Sequence, residues 1–230
     1  MFLQITTPET VEQIVQTPLV KTTESIPIME LAFLGGWIMI PLLFLLVVAV
    51  YIFIERLMII NQSSKEQANF MSTIRDFIHD GRIDSAKALC ANTNSPIARM
   101  IGKGISRIGK PLNDINAAIE NVGKFEVAKL ERRLAWLSTT AGAAPMIGFL
   151  GTVTGMIRVF FAMAHAGGSV EVAMLSGGMY EAMVTTVAGL IVGILAYVGY
   201  NYLVARIEKV VFILEARATE FMDLLNEPVK

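Results

Sequence analysis

A single carboxylate, Glu181, interrupts a long apolar stretch in the last third of the chain. An ionisable group inside a membrane helix is costly, so such a residue usually faces a protein interior or a water-filled path and serves a function. Hydrocarbon disfavours the charged form of a carboxylate, whereas hydroxyl groups and water favour it. A carboxylate held between these effects can take up a proton on one side and release it on the other. Proton transfer is therefore the chemistry that this residue predicts.

A second apolar stretch, N-terminal to the first, carries small residues around a central hydroxyl, Thr152. If the two stretches form an antiparallel hairpin that turns at about Gly167–Gly168, residues at equal depth have numbers with a constant sum. This register places Thr152 level with Glu181, and a small error in the turn shifts the match by a residue or two. The glycines expected to let the two backbones approach closely are Gly148, Gly151, Gly155 and Gly178.

The motifs GFLGTVTGM (148–156) and YEAMVTTVAGLIVGILAYVGYN (180–201) resemble the MotA/TolQ/ExbB proton-channel family, most closely its ExbB/TolQ branch, and the extended outer N-terminal segment favours ExbB over TolQ. Matched residue by residue, the resemblance implies that Thr152 is the pore threonine and Glu181 the membrane acid. It also implies that Thr186 is the threonine that follows the acid. Thr185 is the preceding residue. Because it follows Glu181 by four positions, it lies closer than Thr186 to the helix face that carries the acid. Both threonines are therefore candidates for the proton path.

The resemblance also implies an assembly, because one titrating acid cannot turn proton flow into mechanical work without a moving partner. It implies a pentamer of this chain around a dimer of a single-span ExbD/TolR-like protein that bears a membrane aspartate, in the bacterial inner membrane. Protonation of that aspartate would permit stepwise rotation, and the work would pass to a TonB-like or Tol-type protein. The residues do not distinguish the TonB, Tol and motility pathways, or H⁺ from Na⁺ as the coupling ion. A flagellar MotA-type stator is disfavoured because that branch has four spans.

Composition supports an all-α polytopic membrane protein. The chain has 230 residues, of which 54% are apolar, its mean hydropathy is +0.57, and it contains three uncharged apolar runs. A net charge of −1 gives no electrostatic support for a nucleic-acid partner. The single cysteine, Cys90, excludes an intramolecular disulfide and a zinc–cysteine cluster.

The sequence predicts neither an enzyme nor a cofactor, because it contains no nucleophile–base pair, metal cluster or phosphate loop. A small-solute transporter is the other alternative, but three spans without internal repeats do not suit it. The start of the chain, MFLQITTPET, lacks a basic region and an early apolar core, so no cleavable signal peptide is expected.

Three membrane helices alternate with polar segments. We expect a periplasmic N-terminal segment (1–30), a first membrane helix (31–56), a cytoplasmic helical insert (57–133), a second membrane helix (134–164), a periplasmic turn (165–172), a third membrane helix (173–204) and a cytoplasmic C-terminal helix (205–230). Basic residues set this orientation: 56–133 contains thirteen Lys or Arg, 159–205 contains none, and Lys21 alone precedes Leu31. The positive-inside rule then places the insert and the C-terminus in the cytoplasm.

Apolar periodicity predicts the helices outside the hairpin. The stripes in the insert are Phe70, Ile74, Phe77 and Ile78; Ile97, Ile101, Ile105 and Ile108; and Ile115, Ile119, Val122, Phe125 and Leu130, the last on a helix that begins near Asn113 or Asp114 and runs toward Trp136. The C-terminal seam consists of Ile207, Val211, Leu214, Ala218, Phe221 and Leu225, and it could serve either packing against the insert or oligomerisation.

Several single residues also carry expectations. Pro41 is expected to kink the first membrane helix, and the Glu55–Arg56 pair to mark the membrane interface. Arg158 is expected near the outer end of the second helix, extending to the lipid headgroups or pairing with Glu171. His165 is a candidate proton relay, but a surface position in the turn suits it better.

Overall fold

The computed structural model describes residues 35–64, 69–165 and 172–226, and within these ranges the regular secondary structure is helical throughout. A short 3₁₀ turn, Gly36–Ile38, leads into seven α-helices. Their bounds are α1 Met39–Ser63, α2 Phe70–His79, α3 Ile83–Asn92, α4 Pro96–Ile105, α5 Leu112–Glu131, α6 Leu134–His165 and α7 Val172–Asn226. The all-α prediction is confirmed. The N-terminal segment 1–30 and the hairpin turn at Gly167–Gly168 lie outside the described residues.

Within the described ranges, three helical segments are long and apolar enough to cross a membrane, namely Gly36–Ser63, Leu112–His165 and Leu175–Asn226. In the second segment the apolar part is α6, because α5 carries most of the charged residues. Large apolar side chains such as Phe44, Phe149 and Ile194 point outward from all three helices. Such exposure suits lipid or neighbouring helices better than water, and the three predicted apolar membrane helices are confirmed.

The first apolar helix differs from expectation at both ends. Pro41 is the third residue of α1 and so lies in its first turn, where proline is tolerated, and not in the interior of the helix. At the other end α1 continues past the Glu55–Arg56 pair to Ser63. It therefore extends into the helical insert and packs on it.

The last helix, α7, is 55 residues long, which corresponds to about 80 Å at 1.5 Å per residue. The hydrocarbon core of a bilayer is only about 30 Å thick, so much of α7 continues beyond it. Along that continuation Ile207, Leu214 and Phe221 of the C-terminal seam are buried against α2–α5. These contacts favour packing against the insert over oligomerisation as the role of the seam.

The insert folds around the predicted stripes. Ile74, Ile101 and Ile119 are fully buried in one core. Phe125 is an exception: its side chain is 61% exposed and lies beneath the ammonium group of Lys129, 4.4 Å from the ring centre. The expectation that it joins the stripe is wrong because α5 presents this position to solvent.

The predicted continuous helix from Asn113 toward Trp136 is also broken. α5 ends at Glu131, and Arg133 adopts φ +71°, an unusual value for a residue with a side chain. Its guanidinium binds both carboxylate oxygens of Glu55, at 2.7 and 2.6 Å. Arg56, itself buried, donates to the Lys129 carbonyl at 3.2 Å. This cluster ties α1 to the α5–α6 corner and fixes the direction in which α6 leaves the insert.

Candidate functional site

Helices α6 and α7 pack closely because glycines face one another between them. A Cβ added at Gly189 would lie 2.6 Å from the Ala144 carbonyl oxygen and 2.9 Å from the Gly148 Cα, distances that no real side chain tolerates. The other predicted packing glycines lie in the same interface: Gly151 faces Thr185, Gly155 faces Ala182, and Gly178 faces Val159. Small residues thus bring the two backbones into contact over several turns.

Two residues of this interface were missed by the sequence analysis. Gly189 meets the α6 backbone, and Gly193 makes room for the ring of Pro145, whose Cγ would lie 2.6 Å from an added Cβ. The signal was present, since Gly189 and Gly193 form a G-x-x-x-G pattern of the kind found where membrane helices associate.

A pair of hydroxyl groups bridges the two helices. Thr152 on α6 and Thr186 on α7 form a short hydrogen bond through their Oγ1 atoms. Thr152 Oγ1 also lies 3.2 Å from the Ala182 carbonyl oxygen, and Thr186 Oγ1 lies 3.1 Å from that of Gly148. Both side chains are half-buried, so each hydroxyl is supported by the opposite helix and keeps part of its surface free.

The hydrogen bonds of this pair can be arranged in two ways. In one, Thr152 donates to Thr186, which donates to the Gly148 carbonyl; in the other, Thr186 donates to Thr152, which donates to the Ala182 carbonyl. A hydroxyl both donates and accepts, so exchange between the two arrangements needs only proton movement and hydroxyl rotation. The pair can therefore reverse the direction of its hydrogen bond without separating the two helices.

The second threonine candidate, Thr185, is more deeply buried, although its hydroxyl reaches the same two carbonyl groups. It is only 2% exposed, and its Oγ1 lies 2.8 Å from the Ala182 carbonyl oxygen and 3.5 Å from that of Gly148. A Cβ at Gly151 would lie 2.7 Å from the Thr185 Cβ, so this side chain fills the notch that the glycine leaves. The structure therefore places Thr186, and not Thr185, against Thr152.

The candidate acid lies on another side of α7. Five residues separate Glu181 from Thr186, which turns the two side chains about 140° apart on a helix. In the described part of the chain the hydrogen bonds of Thr152 and Thr186 go to each other and to carbonyl groups, and not to Glu181. The hairpin register predicted that Thr152 lies level with Glu181. In the structure Thr152 instead contacts Ala182 and Thr186.

Glu181 instead approaches two groups that the sequence analysis did not connect with it. Its Oε1 lies 3.7 Å from Nη1 of Arg158 on α6. It also lies beside Gly36, in the turn before α1, where an added Cβ would overlap the same carboxylate oxygen. Glu171, the partner expected for Arg158, lies outside the described residues. The sequence could have indicated this pair, because Arg158 and Glu181 are opposite charges within the apolar hairpin.

The remaining titratable candidates do not join this site. His165 is exposed, and its Nδ1 lies 2.8 Å from the Phe161 carbonyl oxygen. Cys90 is buried in the insert, where burial raises its pKa to about 11 and leaves the thiol unreactive at neutral pH. Among the described residues no group of three or more His, Cys, Asp or Glu is placed to hold a metal ion.

Comparison with known proteins agrees with the motifs. Residues 92–216 match the model of the MotA/TolQ/ExbB proton channel family. The chain is 29% identical over 163 residues to a putative biopolymer transport protein ExbB-like 3 of Synechocystis, covering 70% of this chain and 77% of the relative. It is 31% identical over 135 residues to the Tol-Pal system protein TolQ of Pseudomonas aeruginosa, covering 55% and 58%. It is 35% identical over 81 residues to the biopolymer transport protein ExbB of Aquifex aeolicus, covering 35% and 54%.

The family match covers more than half of the chain and includes both helices of the site, with Thr152, Glu181 and Thr186. It confirms the resemblance seen in the two motifs, and the described structure has the three apolar helices that a membrane subunit needs. The chain belongs to the MotA/TolQ/ExbB proton channel family, as a proton-channel subunit of the stator type.

Proposed function

We propose that this chain is the proton-conducting subunit of a bacterial inner-membrane complex that uses the proton gradient to drive work at the outer membrane, with TonB-dependent uptake as the process served. The observation that carries the proposal is the Thr152–Thr186 hydroxyl pair, which can be ordered in two directions and joins α6 to α7. Glu181 lies less than two turns along the same helix and supplies the group that takes up and releases the proton.

The proposed working unit is a pentamer of this chain around a dimer of a single-span ExbD/TolR-like protein with a membrane aspartate. Outward-facing apolar side chains on α6 and α7, among them Phe149, Val153 and Val187, support contacts with lipid and with further helices. We place the N-terminus and the α6–α7 turn outside and the insert with the C-terminus in the cytoplasm, because the basic residues concentrate in the insert.

The function is tested by replacing the acid with its uncharged isostere. Glu181→Gln keeps the size and polarity of the side chain but removes titration, so we expect a complex that assembles and conducts no protons. The matched control is Glu215→Gln, which changes an exposed glutamate of the same helix outside the apolar hairpin. Proton flux is measured with a pH-sensitive dye in vesicles that hold the complex purified from its own membranes. Full proton flux in the assembled Glu181→Gln complex would refute the role of the acid.

A TolQ-like role is the second candidate, and the similarity to TolQ of Pseudomonas aeruginosa favours it. The two roles differ in the partner that receives the work. Mass spectrometry of the proteins that co-purify with the intact complex distinguishes them: a TonB-like protein supports the first role, and Tol-Pal proteins support the second.

A further inference from the structure

The ion pair between Arg158 and Glu181 stands apart from the hydroxyl pair. Arg158 is the single Lys or Arg of α6, and its side chain is 61% exposed, whereas that of Glu181 is 36% exposed. A cation in an apolar helix is costly unless it reaches the membrane surface or finds an opposite charge. Here the guanidinium turns toward α7 and lies 3.7 Å from the carboxylate.

The turn before α1 bounds the other side of the carboxylate. Gly36 has φ +63°, a conformation that glycine adopts without strain, and any side chain at this position would overlap Glu181 Oε1. Residues 35–54 contain no charged side chain. In the described part of the chain, Arg158 is therefore the charged group that faces Glu181 from the elements packed around it.

The length of the contact is informative. A separation of 3.7 Å is an ion-pair distance and is longer than a hydrogen bond. The guanidinium thus attracts the ionised carboxylate without occupying its lone pairs, so the carboxylate can still accept a proton. Protonation of Glu181 would remove the charge–charge attraction between this carboxylate and Arg158.

We infer that Arg158 is a positioning residue for proton transfer, which holds ionised Glu181 in the Gly36 corner and sets the pH range in which the site works. The inference rests on the proposed function, because it assigns a role to the acid that conducts protons. It requires that the charge of residue 158 matters, beyond the space that the side chain fills.

The test compares Arg158→Gln with Arg158→Lys in the purified complex, with proton flux recorded across a range of pH. An opposite charge nearby favours the ionised form of a carboxylate, so its loss should displace the pH profile of flux from that of wild type. Arg158→Lys keeps the charge and should stay close to wild type. Arg75→Gln, which removes an exposed arginine of the insert, is the control and should not change the profile.

A cysteine variant separates charge from folding. In an Arg158→Cys complex, a thiol reagent that adds an ammonium group should restore the wild-type profile, whereas a neutral reagent of similar size should not. Equal effects of the two reagents, or an unshifted profile in assembled Arg158→Gln, would overturn the inference. Neither result would touch the proposed function, which depends on the loss of flux in Glu181→Gln.

Discussion

Replacing Gly189 with alanine should force α6 and α7 apart at the level of the hydroxyl pair. The added Cβ would lie 2.6 Å from the Ala144 carbonyl oxygen and 2.9 Å from the Gly148 Cα. Both obstacles are backbone atoms of a helix, so no side chain can rotate away to relieve the contact. An ordinary contact starts at 3.4 Å, and the two backbones must therefore separate by several tenths of an ångström.

The cost of this separation can be set from the structure. Overpacking of a close interface costs about 1–3 kcal/mol. The same movement pulls the Gly148 carbonyl from Thr186, now at 3.1 Å, and Ala182 from Thr152, now at 3.2 Å. Hydrogen bonds between membrane helices contribute about 0.6 kcal/mol on average, so their loss is the smaller part of the stability change. The loss of these hydrogen bonds should nevertheless account for most of the change in proton flux, because both arrangements of the hydroxyl pair depend on these carbonyl groups.

Thermal unfolding of the purified complex measures the first effect, and proton flux in vesicles measures the second. For a chain of this size each kcal/mol corresponds to about 2–4 °C in Tm, so we expect Gly189→Ala to unfold several degrees below wild type and to lose most of its flux. Gly177→Ala is the matched control, because it lies on the same helix and an added Cβ meets nothing within 4 Å. Equal Tm values and equal flux in the two variants would contradict this prediction.

Two further predictions concern single side chains. Thr186→Val should lower proton flux at least about tenfold, equivalent to about 1.4 kcal/mol in the barrier, whereas Thr185→Val should conduct nearly as wild type; equal loss in both would contradict the assignment of the hydroxyl pair. Glu126→Gln should destabilise the insert by about 1.5–3 kcal/mol at neutral pH, because the buried carboxylate accepts hydrogen bonds from Arg99 and Lys129, both at 2.7 Å. Burial raises the pKa of Glu126, but these two cations outweigh it and the net pKa is lowered. The stability advantage of wild type should therefore be present at neutral pH and disappear as the pH falls through the lowered pKa, and thermal unfolding against pH checks this.

The helical insert shows which structural features apolar periodicity can predict and which it cannot. Stripes such as Ile97, Ile101 and Ile105 predict a buried face because helical spacing brings them to one side of the chain. The same rule failed at Phe125, since the edge of a stripe can face either core or solvent. It also failed at Arg133, where the helix breaks, the backbone adopts an unusual conformation, and the guanidinium binds Glu55, 78 positions away. Local pattern contains no information about so distant a partner.

The three apolar helices, the family motifs and the candidate proton-transfer residues can be recognised from the sequence, because they depend on residue type and spacing along one helix. How those residues combine follows from the packing of the helices: Thr152 meets Thr186, while Glu181 turns toward Arg158 and Gly36. The register of an antiparallel hairpin predicts which residues of the two helices lie at the same depth in the membrane, to within a few residues. The direction of a side chain around its helix depends on how closely the backbones approach, and Gly148 and Gly189 set that approach through contacts between the two helices.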